Sequence, residues 1–467
     1  MIVPASLILL LAATSAYLAA RTVYRIWFHP LSKIPGSKLA AATHLVEFFY
    51  DVVCKGQFLF EIERMHQEYG PIVRINPREV HIIDPRFYDE IYASSARRRN
   101  KDPAFVPIFG LPRCIAATVD HDHHRFRRNI LSDFFSKKNV TGLTGVVDDR
   151  VYALVRRLEE FCRSGEVLQL DDAMVALTSD VITHYCYGQS WDFLQSKAFR
   201  GEIRNATQDL NAVVHLSRFF PWLGDALPLI PEYIWRRLQP GISVLFAYQQ
   251  AVLDQASEGM GRKKVLTSSR GTMFERMTDP SLPADERALR RIQDEALEVL
   301  TAGTETTADV LTKAIYYLLH NDGMWQRLRA ELKQVLPSPS STATWSSLEQ
   351  LPFLSGVVNE ALRLSYGLLI RLPRVAPCET LRYREYVIPP GVSSAQLRVD
   401  TYTPAWAINA NVQTPVSSTS YFIHRDPTIF PNPDTFDPER WIGDGAMALK
   451  RFLVPFTKGS RICLGMK

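Results

Sequence analysis

Close to the C-terminal end of the chain, Phe456, Gly459, Arg461, Cys463 and Gly465 stand at the spacing F-x-x-G-x-R-x-C-x-G. Such spacing suits a cysteine that serves as axial ligand to a haem iron. A thiolate is a soft, electron-rich ligand that pushes density toward the metal and favours O–O cleavage. Left bare it would be protonated or oxidised, so it needs donors close by. A glycine-bearing turn into a helix N-terminus supplies them as backbone N–H groups. Gly459 permits the turn, Phe456 shields the sulfur, and Arg461 has the planar fork that pairs with a propionate. The competing interpretation of a single cysteine is a buried free thiol. It leaves the flanking residues without a task.

A second stretch points to the opposite face of such a cofactor. The longest helical pattern outside the N-terminus runs from about Asp285 to His320, and its centre reads Ala302-Gly303-Thr304-Glu305-Thr306-Thr307. A glycine and three threonines in six positions cost about 2–3 kcal/mol of helix propensity relative to alanine. Small residues let a backbone pass close to a flat cofactor. A threonine hydroxyl that bonds back to the i−4 carbonyl bends the helix and opens a groove for dioxygen and water. Thr306, with Glu305 beside it, is then placed to carry protons as a general-acid relay through water. The plainer alternative is a Gly/Thr kink without chemistry.

These two stretches resemble the haem-binding loop and the distal [A/G]-G-x-[D/E]-T-[T/S] signature of the cytochrome P450 family. The resemblance implies a mainly α fold with a small β-region, and haem b bound through Cys463. It implies electrons drawn from NADPH through NADPH-cytochrome P450 reductase, and one oxygen atom inserted into an apolar small molecule. It also assigns residues. His124 and Arg128 match a pair that binds a haem propionate, and Arg374 in Arg371-Leu-Pro-Arg374 is a further propionate candidate. Glu360 and Arg363, with Arg440 of Phe436-Asp-Pro438-Glu-Arg440-Trp, match a buried charge network that locks the segment before the cysteine. Taken alone, an E-x-x-R is only a helix-surface ion pair worth about a few tenths of a kcal/mol. The run from Arg363 to Pro377, with Val387-Ile-Pro-Pro-Gly391, is similar to fungal secondary-metabolite members of the trichodiene-oxygenase-like group. A terpenoid or polyketide substrate follows by analogy.

Other function classes stay open at this point. Asp120-His-Asp-His-His124 invites a zinc site, but on a helix His121 and His124 share a face while His123 points elsewhere. The same residues suit an ordinary helix N-terminus. A haem-thiolate isomerase or dehydratase would not need the Glu305-Thr306 relay. A non-catalytic remnant is the third alternative, for reasons given below.

The elements that must position these residues begin with an apolar segment. Ile2 to Ala20 has no charged side chain and is just long enough to cross a bilayer. Arg21, Arg25, Lys33 and Lys38 follow, which leaves the downstream body cytoplasmic by the positive-inside bias, and the resemblance implies that the anchored membrane is the endoplasmic reticulum. A cleaved signal peptide competes, but there is no basic n-region. Residues 21–40, with Pro30 and Pro35-Gly36, form a basic, proline-bearing hinge, and 41–467 the catalytic domain. In the body, Phe58–Tyr69 is an amphipathic helix, and Ile72–Ile75 and Glu79–Ile83 are short strands. From Val146 to Gln255 helical periods break at Ser164-Gly165, Gly188 and the aromatic-rich Phe219–Pro231. The resemblance implies that this region forms the substrate roof and access channel, with plain core packing of its apolar residues as the alternative. A net charge of +5 over 467 residues leaves no concentrated footprint for nucleic acid. The six cysteines show no C-x-x-C spacing, in keeping with a reduced compartment. The sequons at Asn139 and Asn205 then stay unglycosylated.

Two departures from the family pattern stand out. Val392–Gln413 interrupt the strand region without a clean period, and are expected to come from a retained intron. After Cys463 only four residues follow, where the family continues with a long helix and a strand pair. The expectation is a poorly desolvated thiolate and weak haem retention.

Overall fold

A computed structural model of the chain describes residues 5–223, 272–338, 341–390 and 414–466, with 231, 233–234, 237, 250–254 and 257. Leu227, Leu229 and Ile230 of the expected roof and the segment 392–413 lie outside the described residues.

The body is mainly helical around one small mixed sheet. Helix α1 (Ala5–Val23) projects with its side chains exposed. Helix α2 (Phe58–Tyr69) buries Phe58, Leu59, Ile62, Met65 and His66, the recurrence of one helical face, and ends at Gly70 with φ +95°. Strands β1 (Ile72–Arg74) and β2 (Val80–Ile82) pair antiparallel, Ile72 opposite Ile82. Then come helix α3 (Tyr88–Ile91), strand β3 (Asn100–Lys101) and helix α4 (His121–Ser132). Asp120 caps α4 by accepting the Asp122 and His123 amides at 2.9 Å. Helices α5 (Thr144–Ser164) and α6 (Leu170–Tyr187) each stop at a left-handed glycine, Gly165 and Gly188. Helix α7 (Gly201–Phe219) runs to Phe220–Leu223, the described start of the expected roof.

The axis of the molecule is helix α8 (Leu289–Leu319), 31 residues and so about 46 Å long. Helices α9 (Asp322–Leu332) and α10 (Pro352–Ser365) pack on its C-terminal half through Leu318, Leu328, Phe353 and Val357. Strand β4 (Arg374–Val375), the hairpin β5 (Leu381–Tyr383) and β6 (Tyr386–Ile388), strand β7 (Val416–Ser417) and helix α11 (Ser420–His424) complete the framework. The main sheet has the order β1-β2-β7-β4-β3, with β2 and β7 parallel.

Residues 21–40 differ from the expected hinge. Leu31 and Ile34 are buried in the same cluster as Ile72, Val80 and Ile82. The Arg74 amide donates to the Pro35 carbonyl at 2.8 Å, and a Cβ on Gly36 would stand 2.6 Å from the Arg74 carbonyl oxygen. The prolines shape a turn glued to the sheet, because two apolar side chains between them find a core to enter. At the roof, Arg218 pins the end of α7 to Glu47 and Asp51 at 2.9 and 3.0 Å, while Arg371 pairs with Glu79 at 2.9 Å and with Glu47. Burial depresses the Arg371 guanidinium to about 9. Arg371 thus belongs to a buried ionic lattice under the roof, although it lies three residues from Arg374.

Candidate active site

The loop before Cys463 is held from several sides. Its first turn closes with the Thr457 amide on the Val454 carbonyl at 3.1 Å, and the Cys463 amide returns to the Phe456 carbonyl at 3.0 Å. Gly459 (φ +74°) does more than permit a turn: a Cβ there would lie 2.2 and 2.1 Å from the carbonyl oxygens of Tyr92 and Ala93, just beyond α3. The Ser460 amide uses that proximity and donates to Ala93 at 3.0 Å. Arg128, on α4, donates from Nη1 to the Ile462 carbonyl at 2.6 Å. Cys463 is exposed, yet partial desolvation raises the pKa of its thiol, while the Gly465 amide and the Arg128 charge pull it down. Phe456 is half-buried in the same loop.

Beside the sulfur lies a group of cations. Arg461 spends its guanidinium on three carbonyls, from Nε to Arg99 at 3.0 Å, Nη1 to Thr118 at 2.8 Å and Nη2 to Val119 at 2.6 Å. Arg374 is buried, bonds only to the local carbonyls of Leu372 and Pro373 among described residues, and lies 5.1 Å over the Tyr92 ring. Lys101, from β3, reaches the Ala116 carbonyl. His124 is buried among them. Burial lowers the pKa of Lys101, Arg461 and His124, and their mutual repulsion with Arg374 lowers them further. Buried cations that disfavour one another call for an anion, and the two propionates of a haem supply that charge. The donor set therefore fits haem: one sulfur, and a basic pocket at its flank.

On α8 the Thr306 hydroxyl bonds back to the Ala302 carbonyl at 2.7 Å, and the side chain is exposed. Glu305 leaves the helix in another direction. Desolvation raises its pKa, Arg204 of α7 opposes that, and Asp171 and Asp172 of α6 add to it. Arg204 is itself paired with Asp171, and with Asp172 at 3.3 Å. Any proton path from Glu305 to Thr306 must go around the helix. Gly303 has a different use from the one its sequence suggests: a Cβ there would meet Ile182 Cγ1 of α6 at 3.0 Å, so it serves helix packing. Thr304 is buried on the same side, its carbonyl accepting the Thr178 hydroxyl at 3.1 Å.

Glu360, Arg363 and Arg440 come together in the interior. Arg363 is bidentate to Glu360 at 2.8 and 2.7 Å, and Arg440 Nε and Trp441 Nε1 donate to the same carboxylate at 3.0 and 2.9 Å. Arg363 also donates to the carbonyls of His424 and Pro433, both at 2.7 Å, and of Thr435 at 3.1 Å. The histidines of α4 diverge: His121 Nδ1 accepts the Arg99 amide at 3.3 Å, His123 meets Glu286 at 2.6 Å, and His124 enters the basic pocket. Among the described residues no group of three His, Cys, Asp or Glu side chains is arranged to hold a metal, so the zinc alternative fails.

A sequence model of the cytochrome P450 family matches residues 44–394 and 409–467. The chain is a cytochrome P450. Conidiogenone synthase PchP450 of Penicillium rubens is 43% identical over 454 residues, covering 96% of this chain and 86% of that protein. Cytochrome P450 monooxygenase TRI4 of Trichoderma arundinaceum is 41% identical, covering 97% and 84%. Cytochrome P450 monooxygenase aflU of Aspergillus parasiticus is 40% identical, covering 96% and 85%. This P450 is accordingly a monooxygenase that uses haem b, with electrons reaching it from NADPH through a reductase. Lys101 is the site residue that sequence reasoning missed. A lone lysine in a loop reads as a solvated charge, and only the fold shows it buried beside Arg374 and Arg461.

Proposed function

We propose that this P450 hydroxylates or otherwise oxidises an apolar small molecule, a terpenoid or polyketide of fungal secondary metabolism, with Cys463 as the axial ligand. When bound, haem b supplies the iron at which dioxygen is reduced. The observation that carries the assignment is the Cys463 thiol on a loop pinned by Ala93 and Arg128, next to the basic pocket. Lys101, His124, Arg374 and Arg461 hold the propionates. Arg128 serves the loop through Ile462 and lends positive charge to the sulfur. Thr306 presents its hydroxyl at the groove and hands on a proton delivered by water from Glu305, whose raised pKa suits a donor. Glu360, Arg363 and Arg440 act structurally.

Support for the substrate class is the kinship with conidiogenone synthase and the TRI4 monooxygenases, together with exposed Phe220 and Trp222 at the roof. The anchor is α1, which with the following π-helical turn forms the stretch Ala5–Phe28, whose most apolar 18 residues have mean hydropathy 1.5, with none of them buried. It tethers the body to the cytoplasmic face of the endoplasmic reticulum, where NADPH-cytochrome P450 reductase is the electron donor. Residues 395–408, which the family model skips, fall inside the proposed retained intron at 392–413. The test is turnover of a terpenoid and polyketide panel with reductase, NADPH and isotope-labelled dioxygen. One labelled oxygen atom in a product supports the assignment, and NADPH-independent rearrangement of a substrate contradicts it.

A further inference from the structure

His424 ends α11, is fully buried, and belongs to none of the motifs singled out in the sequence. Both of its ring nitrogens are engaged. Nδ1 lies 2.9 Å from the Arg363 carbonyl oxygen, which can only accept, so Nδ1 carries the proton. Nε2 is then a free lone pair, and it accepts the Val454 amide at 2.9 Å. Arg363 answers from the other direction, its Nη1 donating to the His424 carbonyl at 2.7 Å. The rings of Tyr366, stacked at 6.4 Å, and Phe430, edge-on at 6.3 Å, fix the plane of the imidazole.

Val454 is the residue whose carbonyl closes the first turn of the cysteine loop, and Phe456, two residues on, holds the Cys463 amide. We propose that His424 is a positioning residue for the thiolate: by accepting the Val454 amide it sets the entry of the loop and couples the buried Glu360–Arg363 pair to the sulfur. The inference rests on Cys463 as iron ligand. The hydrogen bonds from Lys458 to Asp89, Ser460 to Ala93, Arg461 to three carbonyls and Arg128 to Ile462 act on the later part of the loop. At its entry His424 supplies the hydrogen bond, beside the packing of the Val454 side chain in the core and of Gly367 on Pro455. A histidine suits the task because one rigid ring offers a donor and an acceptor on its two edges. Burial and the Arg363 charge hold its pKa down to about 3, so the acceptor survives at working pH.

Two substitutions separate the tether from a general role in the core. In His424→Gln the side-chain oxygen reaches the place of Nε2 and can still accept. In His424→Asn the amide reaches only the place of Nδ1, and the Val454 amide is orphaned. Hydrogen exchange at the Val454 amide, read on the chain as it stands, needs no haem. We expect slow exchange in the unsubstituted chain, about tenfold faster exchange in the Asn variant and a near-normal rate in the Gln variant. In haem-loaded protein, the ferrous carbon-monoxide spectrum of the Asn variant shifts from the thiolate band toward the band of a protonated or lost sulfur, and Gln restores it. Fast exchange at Val454 in the unsubstituted chain overturns the proposal without any variant. So does an equal effect of Asn and Gln on exchange and spectrum. A thiolate band that survives Cys463→Ser would instead defeat the ligand assignment, whatever the exchange data say.

Discussion

At the scale of single residues, charge in a dry place decides most of what the site can do. Lys101, Arg374 and Arg461 repel one another in a buried pocket, so each gains when an anion arrives. Lys101→Met should therefore speed haem loss by about tenfold, the worth of one charge-assisted hydrogen bond, measured as transfer of haem to an acceptor globin. Thr306→Val keeps the shape of the side chain and removes the hydroxyl that now bonds Ala302. A lost general-acid step should lower kcat by about 100-fold with KM little changed, and a rise in KM with kcat unchanged would point to substrate contact instead. Glu360 gathers Arg363, Arg440 and Trp441 in a completely buried site, so Glu360→Gln should cost about 3–5 kcal/mol in denaturant unfolding. Cys463, Glu360 and Arg363 could be picked from the sequence because their neighbours sit at fixed spacings. Lys101 and His424 could not, because what singles them out is burial among other segments, for Lys101 beside Arg374 and Arg461 and for His424 between Arg363 and Val454.

Helices were legible along most of the chain, and of the strands only β1 and β2, read as Ile72–Ile75 and Glu79–Ile83, could be seen in the sequence. The period of apolar residues marked α2, α6 and α8, and glycine marked the ends of α5 and α6 at 165 and 188. Strands β3, β4 and β7 are two residues each and exist only through their pairing, Arg374 opposite both Lys101 and Val416. Nothing local announces them. Gly303 teaches the same lesson inside a helix: its position in the distal signature suggested room for a cofactor, and the room it makes is for Ile182 on α6. Gly303→Val should destabilise the α6–α8 contact by about 1–3 kcal/mol through overpacking, visible as a lower melting temperature in haem-free protein. An unchanged melting temperature would show that α6 yields.

Over the whole molecule, stability should depend on acid through buried histidines. His66 donates from Nδ1 to Gly70 at 2.7 Å, its Nε2 lies 2.7 Å from His81, and His81 meets Thr419 at 3.0 Å. Burial lowers the His66 pKa from 6.5 to about 4, and burial with the neighbouring His66 lowers that of His81 as well. A base whose folded pKa is depressed contributes stability above its unfolded value and loses it as pH falls toward the folded one. His66 alone should remove about 3 kcal/mol between pH 6.5 and 4. Denaturant titrations across that window should show the loss, and His66→Asn should flatten the slope. The packing of residues 29–36 onto the sheet was hidden at this scale too, since two apolar side chains among prolines read as linker until the core they enter is known.

The central claim is that sulfur from Cys463 grips the iron, and one spectrum addresses it. In haem-loaded protein, the ferrous carbon-monoxide complex should show the long-wavelength thiolate band, and Cys463→Ser should abolish it while the fold persists. A thiolate band in the serine variant would contradict the account.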